Sequence, residues 1–280
     1  MKVIIVPDIH QETENLNFLK TNKKLIDNEG YEVVFLGDLL DAWEADAYAE
    51  SDTKNPKAII ELTAEVFKGK NWHWLVGNHD IAYIDDRESS YVKGVSGHQH
   101  IRDKNIGWIL RQYLDQMDVA IQLGDWIFSH GGFAGRTIKM AKVPRKRMII
   151  DFLNNEFHKE HYDLFHYYHP DTHWSNFSIM WTRPNGLLID PCFCKQIVGH
   201  TECGPVNMKT VKSSGKIKSE LVILDSRTHD GLYMLDTSTN IIYPMSKSFK
   251  LGSPDEINTK IFEWEQIKKD RKELRDEGYF

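Results

Sequence analysis

The chain has 280 residues, 41 % of them hydrophobic and 27 % charged, enough to bury a core without disulfides or a structural metal. Thirty-five Lys and Arg against 41 Asp and Glu leave a formal charge of −6, so a surface built to grip a nucleic-acid backbone is not expected. Cys192, Cys194 and Cys203 are a poor disulfide framework, Val3 to Val6 is too short for a signal-peptide core, and no stretch approaches the ~20 apolar residues of a membrane span; the expectation is a reduced, soluble, cytoplasmic protein with no membrane partner.

Residues 2 to 7 are mostly apolar and β-branched, the composition of a strand buried on both faces. A helix is predicted from about Glu12, with Leu16, Leu19, Leu25 and Ile26 as core contacts and Gly30 as its stop. Val33 to Leu36 forms a second strand. Asn55-Pro56 reads as an N-cap followed by proline at the first helical position, and Ile59, Ile60, Leu62, Val66 and Phe67 supply the apolar face. Trp72 to Val76 is the third strand, so the first part alternates strands and helices as an α/β sheet does.

Further on, Val119 to Leu123 and Trp126 to Phe128 flank Gly124-Asp125, which predicts a hairpin. Short β-like runs follow at 195–198, 221–224, 232–235 and 241–243. Pro254 to Arg275 reads as a charged helix carrying Ile257, Ile261, Trp264 and Ile267 on one stripe. Two irregular stretches, about 81–103 and 156–178, are long for plain connections and are expected to form lids on a single domain spanning 1–280.

The residues directly after each apolar run carry the chemistry. Asp8-Ile9-His10 comes after the first strand, Gly37-Asp38-Leu39-Leu40-Asp41 after the second, and Gly77-Asn78-His79-Asp80 after the third. The hairpin ends in His130-Gly131-Gly132, and Ile197-Val198 ends in Gly199-His200. In open α/β sheets ligands bind at the carboxyl ends of strands, so these five segments deliver Asp, Asn and His to one rim. Oxygen and imidazole donors without thiolate suit Mn, Fe or Zn, and seven such groups are too many for one ion. Two ions sharing a carboxylate, ~3.5–4 Å apart, fit the number of donors. Gly37, Gly77 and Gly199 are read as permitting sharp turns immediately before the ligands.

Those five motifs resemble the calcineurin-like metallophosphoesterase superfamily, in particular its phosphoprotein-phosphatase-like and diadenosine-tetraphosphatase-like branch. The resemblance implies a four-layer α/β/β/α sandwich and a phosphoric ester hydrolase. It implies that Asp8 and His10 hold the first metal, that Asp38 bridges, and that Asn78, His130 and His200 complete the second site. Manganese is the first choice, with Fe, Zn, Ni or Mg permitted. His79 is implied as proton donor to the leaving oxygen, oriented by Asp41, while a bridging hydroxide attacks phosphorus in line. The expected substrate is a phosphomonoester, in first place a Ser/Thr phosphoprotein. Dinucleoside polyphosphates or nucleic-acid ends are the alternative, and a non-catalytic scaffold the second.

The chain departs from the protein-phosphatase pattern at one point. Where that group carries an arginine after the second aspartate, this chain has Ala42-Trp43 after Asp41. Trp181-Thr182-Arg183 is similar to the Trp-x-Arg of phage and bacterial members, so Arg183 is the first candidate phosphate clamp and Arg136 the second.

Other groupings carry less. Gly97-His98-Gln99-His100 follows no strand and is read as no metal site. His158, His161, His166, His169 and His173, interleaved with aromatic residues, are read as lid packing. Lys139, Lys142, Arg145, Lys146 and Arg147 are read as a solvated helical face, and the three cysteines as small buried hydrophobes.

Overall fold

The computed structural model describes residues 1–41, 55–85, 87, 103–143, 145–166, 178–225, 231–246 and 248–276. Strand β1 (Lys2–Val6) shows how the layers arise. Side chains alternate across a strand, so Ile4 and Val6 enter one apolar cluster while Val3 and Ile5 enter another. The first cluster lies under helices α1 (Glu14–Glu29) and α2 (Pro56–Val66), represented by Leu16, Leu19, Ile59 and Ile60. Burying each such side chain stabilises the fold by roughly 1.5–3 kcal/mol.

Helix α1 ends at Gly30, whose φ of +70° closes the last turn. Leu25, expected in the core, is 47 % exposed, because Leu19 and Ile26 lie two turns apart on one face and Leu25 is rotated about 100° from it. Asn55 caps α2 by accepting from the Lys57 N–H at 3.1 Å, with Pro56 at the first helical position.

Strands β2 (Glu32–Phe35), β3 (Trp72–Leu75) and β4 (Met117–Asp118) extend β1 in parallel, with registers Val3 to Glu32 and Val33 to Trp72. Short helix α3 (Asn78–Ile84) leaves β3 and packs beside α4 (Asp103–Arg111). Strands β10 (Leu232–Asp236) and β11 (Ile241–Met245) add antiparallel to the other side of β1, giving the order β11-β10-β1-β2-β3-β4.

The second sheet runs β12-β8-β9-β7-β6-β5. Strands β5 (Ala120–Leu123) and β6 (Trp126–Ser129) form the expected hairpin around Gly124, φ +61°. Strand β7 (Lys195–Val198) lies parallel to β6 and to β9 (Ile217–Ile223), which pairs antiparallel with β8 (Val206–Val211). Val3, Ile5, Val34 and Leu75 of the first sheet meet Trp126, Phe128, Ile197 and Val222 of the second. The outer face of the second sheet carries Val198, Met208 and Ile223 against Leu187 and Leu188 of α7 (Pro184–Ile189). Helices α5 (Gly135–Ala141), α6 (Ile149–His158) and α8 (Trp264–Asp276) complete the described elements. Helices thus flank two mixed sheets, in the α/β/β/α order.

Two further expectations fail outside the site. Pro254 to Arg275 is not one helix: Asn258–Glu263 is strand β12, paired in parallel with β8, and the helix begins only at Trp264. Ile257, Thr259, Ile261 and Phe262 suit a pleated edge, and the open edge of β8 overrides the helical spacing. Ile257 and Ile267 are buried as expected, but Ile261 is 65 % exposed. Of the cysteines only Cys192 is buried, while Cys194 and Cys203 are exposed because neither lies on the inward face of a strand.

The basic run does face solvent: Lys139, Lys142, Arg145, Lys146 and Arg147 are all exposed. Of the histidine cluster, His158 pairs with Asp118, His161 with Glu156 and His166 with Asp85, each on a separate carboxylate. His169, His173 and the segment 97–100 lie outside the described residues, as does most of the 81–103 insertion. Among the described residues no helix is long and apolar enough to cross a membrane.

Candidate metal centre

The five motifs leave two different sheets and meet at the rim between them. Asp8 and His10 follow β1, Asp38 and Asp41 follow β2, and Asn78 and His79 open α3 after β3. His130 follows β6 and His200 follows β7, both in the second sheet. All eight side chains belong to buried residues. Four of them adopt left-handed backbone: His10 (φ +40°), Asp38 (+53°), Asp41 (+63°) and His200 (+61°). Such conformations cost non-glycine residues of order ~1–3 kcal/mol each, and their concentration here marks a site held by the surrounding fold.

The glycines do two different jobs. Gly37 takes φ +99°, the backbone role expected of it. Gly77 and Gly199 do not adopt positive φ; they are needed for close approach. A Cβ on Gly199 would stand 1.9 Å from Asp8 Oδ1.

Two ligand groups share one residue. Asp8, His10 and Asp38 bring one donor atom each within 4.8 Å of one another, and so do Asp38, His130 and His200. Asp38 Oδ1 accepts from the His79 backbone N–H at 2.9 Å, and Oδ2 is the oxygen turned toward the two histidines. That oxygen lies 3.8 Å from His10 Nε2 and 3.3 Å from His130 Nε2. Asn78 Oδ1 stands 2.8 Å from His130 Nε2 and so joins the second group.

The ring tautomers show that these donors suit cations. His10 Nδ1 faces the carbonyls of Leu40 and Asp41 at 3.1 and 2.9 Å, and His130 Nδ1 faces that of Leu36 at 3.0 Å. A carbonyl can only accept, so each neutral ring donates from Nδ1 and carries its lone pair on Nε2. The His130 lone pair then points at Asn78 Oδ1, Asp38 Oδ2 and His200 Nδ1, the last at 3.2 Å. Electron-rich atoms converging in a dry pocket are costly unless a cation sits among them. Asp8 Oδ1 and His200 Nε2 are buried with no hydrogen-bond partner among the described residues. The donor set therefore fits two divalent cations.

Charge tells the same story. Burial, with Asp225 and Asp38 nearby, pushes the Asp8 carboxyl well above its ordinary range. Burial would also raise Asp38, but with no cation bound the imidazoles of His130, His79 and His10, when protonated, outweigh it and hold that carboxyl low. Burial and the neighbouring His130 and Arg183 push His200 down, which keeps it a neutral ligand.

His79 stands apart from the ligand groups. Its Nδ1 meets Asp41 Oδ2 at 2.8 Å. Burial works against its charged form, but Asp38 and the Asp41 hydrogen bond prevail and raise its pKa to about 9. A cavity of about 270 Å³ opens over the site, lined by His10, Asp38, Asn78, His79, Trp181, Arg183, His200, Thr201, Glu202 and Asp225. Arg183 Nη1 donates to His200 O at 3.0 Å and to Thr201 Oγ1 at 3.2 Å. Arg136 does not line this cavity; it is half-buried at the start of α5, where Asp190 provides the opposing charge.

Sequence reasoning gave no role to three residues here. Asp80 accepts from Leu39 N at 2.9 Å, Leu40 N at 3.2 Å and Gly77 N at 3.0 Å, tying the β2 and β3 loops together. Burial and Asp38 raise its pKa to about 7. Tyr83 donates its hydroxyl to Asp41 Oδ1, and its spacing of four from His79 on a helix was the available signal. Asp225 lies two residues beyond the end of β9 and reaches the cavity; it directly follows the apolar run that ends at Leu224. Burial and Asp38 raise its pKa to about 6.

A sequence model described as calcineurin-like phosphoesterase matches residues 1–201. No curated protein matches the chain. Among solved structures, a metallophosphoesterase from Sphaerobacter thermophilus is 14 % identical, with 88 % of each chain covered and a TM-score of 0.44. Yfce, a phosphoesterase from E. coli, is 13 % identical, covering 90 % of this chain and 97 % of its own, with a TM-score of 0.37.

Proposed function

The chain belongs to the calcineurin-like phosphoesterase family and is a metal-dependent phosphoester hydrolase, and from that premise we propose that it hydrolyses phosphomonoesters on two divalent cations, with Ser/Thr phosphoproteins as the substrate class. The observation that carries the reading is the pair of ligand groups sharing Asp38 beneath a cavity that also holds His79 and Arg183. Asp8, His10 and Asp38 would hold one cation; Asp38, Asn78, His130 and His200 would hold the other. When bound, the cations, manganese in first place, supply Lewis acidity and positive charge against the phosphoryl oxygens.

The chain's own residues do the rest. Arg183, positioned by His200 O and Thr201 Oγ1, binds a phosphoryl oxygen. Asn78 contributes a neutral oxygen, which limits negative charge facing an anionic substrate. Asp41 orients His79 through Nδ1, so that Nε2 delivers a proton to the leaving oxygen, a contribution of ~10²–10⁴-fold. Among the described residues Arg183 is the one cation-bearing side chain in the cavity wall besides histidine, and it shares that wall with Glu202 and Asp225. This supports one phosphoryl group over a polyphosphate chain. The unpaired thiols support a reducing, cytoplasmic setting.

Turnover of a phosphoserine peptide, diadenosine tetraphosphate and bis-p-nitrophenyl phosphate tests the reading. The peptide should be cleaved fastest; cleavage of the diester or the dinucleotide alone would defeat it.

A further inference from the structure

Three donors hold Asp41 in its left-handed conformation. His10 Nδ1 donates to its carbonyl oxygen at 2.9 Å, His79 Nδ1 to Oδ2 at 2.8 Å, and the Tyr83 hydroxyl to Oδ1. His79 and Tyr83 stand four apart on α3, so one helix face presents both to the same carboxylate. His79, Asp41 and Tyr83 are all buried, at 5 %, 1 % and 4 % exposure. Water therefore competes little for either carboxylate oxygen, and each bond weighs more than it would at the surface.

We propose that Tyr83 is a positioning residue for proton donation by His79. The inference rests on the preceding reading of His79 as the acid. The hydroxyl fixes the plane of the Asp41 carboxylate, and that plane sets the direction of the His79 ring. In the step itself a water-derived hydroxide forms a bond to phosphorus, the phosphorus–oxygen ester bond breaks, and the proton leaves His79 Nε2 for the departing oxygen. The leaving group departs as a neutral alcohol, and His79 is left neutral until water restores its proton. Asp41 stays a carboxylate and Tyr83 a phenol throughout.

The ring of Tyr83 also belongs to the apolar core, so the test must separate the hydroxyl from packing. Tyr83→Phe keeps the ring. On a phosphoserine peptide, whose alkoxide needs a proton, kcat should fall about tenfold; on p-nitrophenyl phosphate, whose leaving group needs little help, it should change less than about twofold. In a His79→Asn background Tyr83→Phe should change neither rate, because Tyr83 acts through His79. In the metal-free protein, the proton resonance of His79 Nδ1–H, identified by its loss in His79→Asn, should move in Tyr83→Phe. Equal losses on both substrates, a loss that multiplies on His79→Asn, or an unmoved resonance would overturn the proposal. A wild-type protein that cleaves neither monoester would instead strike at the phosphomonoesterase reading.

Discussion

Gly77 and Asp38 are so close that a side chain on the first would displace the second. A Cβ on Gly77 would stand 2.1 Å from Asp38 Oδ1 and 2.3 Å from Asp38 N. The β2 and β3 loops meet there, and the shared carboxylate depends on it. Gly77→Ala should lose metal content along with activity and destabilise the fold by about 1–3 kcal/mol. Gly186 provides the contrast: its nearest neighbour for a Cβ is Thr182 Cγ2 at 3.6 Å, and it sits within α7. Gly186→Ala should be neutral or raise stability by up to ~1 kcal/mol. Thermal melts and elemental analysis of the two variants check both statements.

His79 meets the candidate ligands through its backbone bond to Asp38 and an edge-on ring contact with His10, and its own ring nitrogen Nδ1 is held by Asp41. His79→Asn should therefore lower kcat on a phosphoserine peptide by ~10²–10⁴-fold while metal content stays near that of the wild type. A variant that loses its metal in proportion to its activity would make His79 a structural residue.

Arg183 lies on the cavity wall, where it holds the His200 backbone oxygen and offers no donor atom to the ligand groups. A charge-assisted hydrogen bond contributes about 1.5–3 kcal/mol, so Arg183→Ala should lower kcat/KM by roughly 10–100-fold, mostly through KM. Arg136→Ala should leave both constants within about twofold, since the residue faces Asp190 and not the cavity. Steady-state kinetics on one phosphomonoester settle the comparison.

Away from the centre, Asp85 ties the two insertions by accepting from His166 Nε2 at 2.6 Å and from Arg87 at 3.1 Å. Burial alone would raise its carboxyl, but the bonds from His166 and Arg87 prevail and hold it well below the carboxylate range. A carboxyl depressed in the folded state stabilises the fold above its unfolded pKa, ~3.9, and loses that contribution as pH falls toward the folded value. Because the Arg87 partner is 60 % exposed, the contribution is discounted for screening to roughly 1 kcal/mol. Asp85→Asn should therefore melt lower than wild type at pH 7, and the gap should narrow progressively as pH falls below about 4. Denaturant titrations at pH 7 and pH 3 measure it.

The convergence of the candidate ligands was legible in the sequence because their segments follow apolar runs, and strand ends are where a sheet delivers side chains. Asp8, Asp38, Asn78, His130 and His200 could be placed on one rim from that rule alone. The closing of the rim could not be read in the same way. The left-handed backbone at His10, Asp38, Asp41 and His200 is imposed by contacts between loops, and nothing in those residue types announces it. Asp80 and Tyr83 act on residues about 40 positions earlier, beyond any local pattern. Strand β12 was hidden for a related reason: its apolar spacing also suits a helix, and only the open edge of β8 decides.

The proposed chemistry stands on one carboxylate oxygen, Asp38 Oδ2, serving two cations. Stripping the protein with a chelator and titrating it with manganese, with bound metal counted by elemental analysis, tests this without recourse to activity. The wild type should take up two equivalents per chain, and Asp38→Asn at most one, weakly held. A single equivalent in the wild type, or two retained in Asp38→Asn, would contradict the shared-oxygen arrangement.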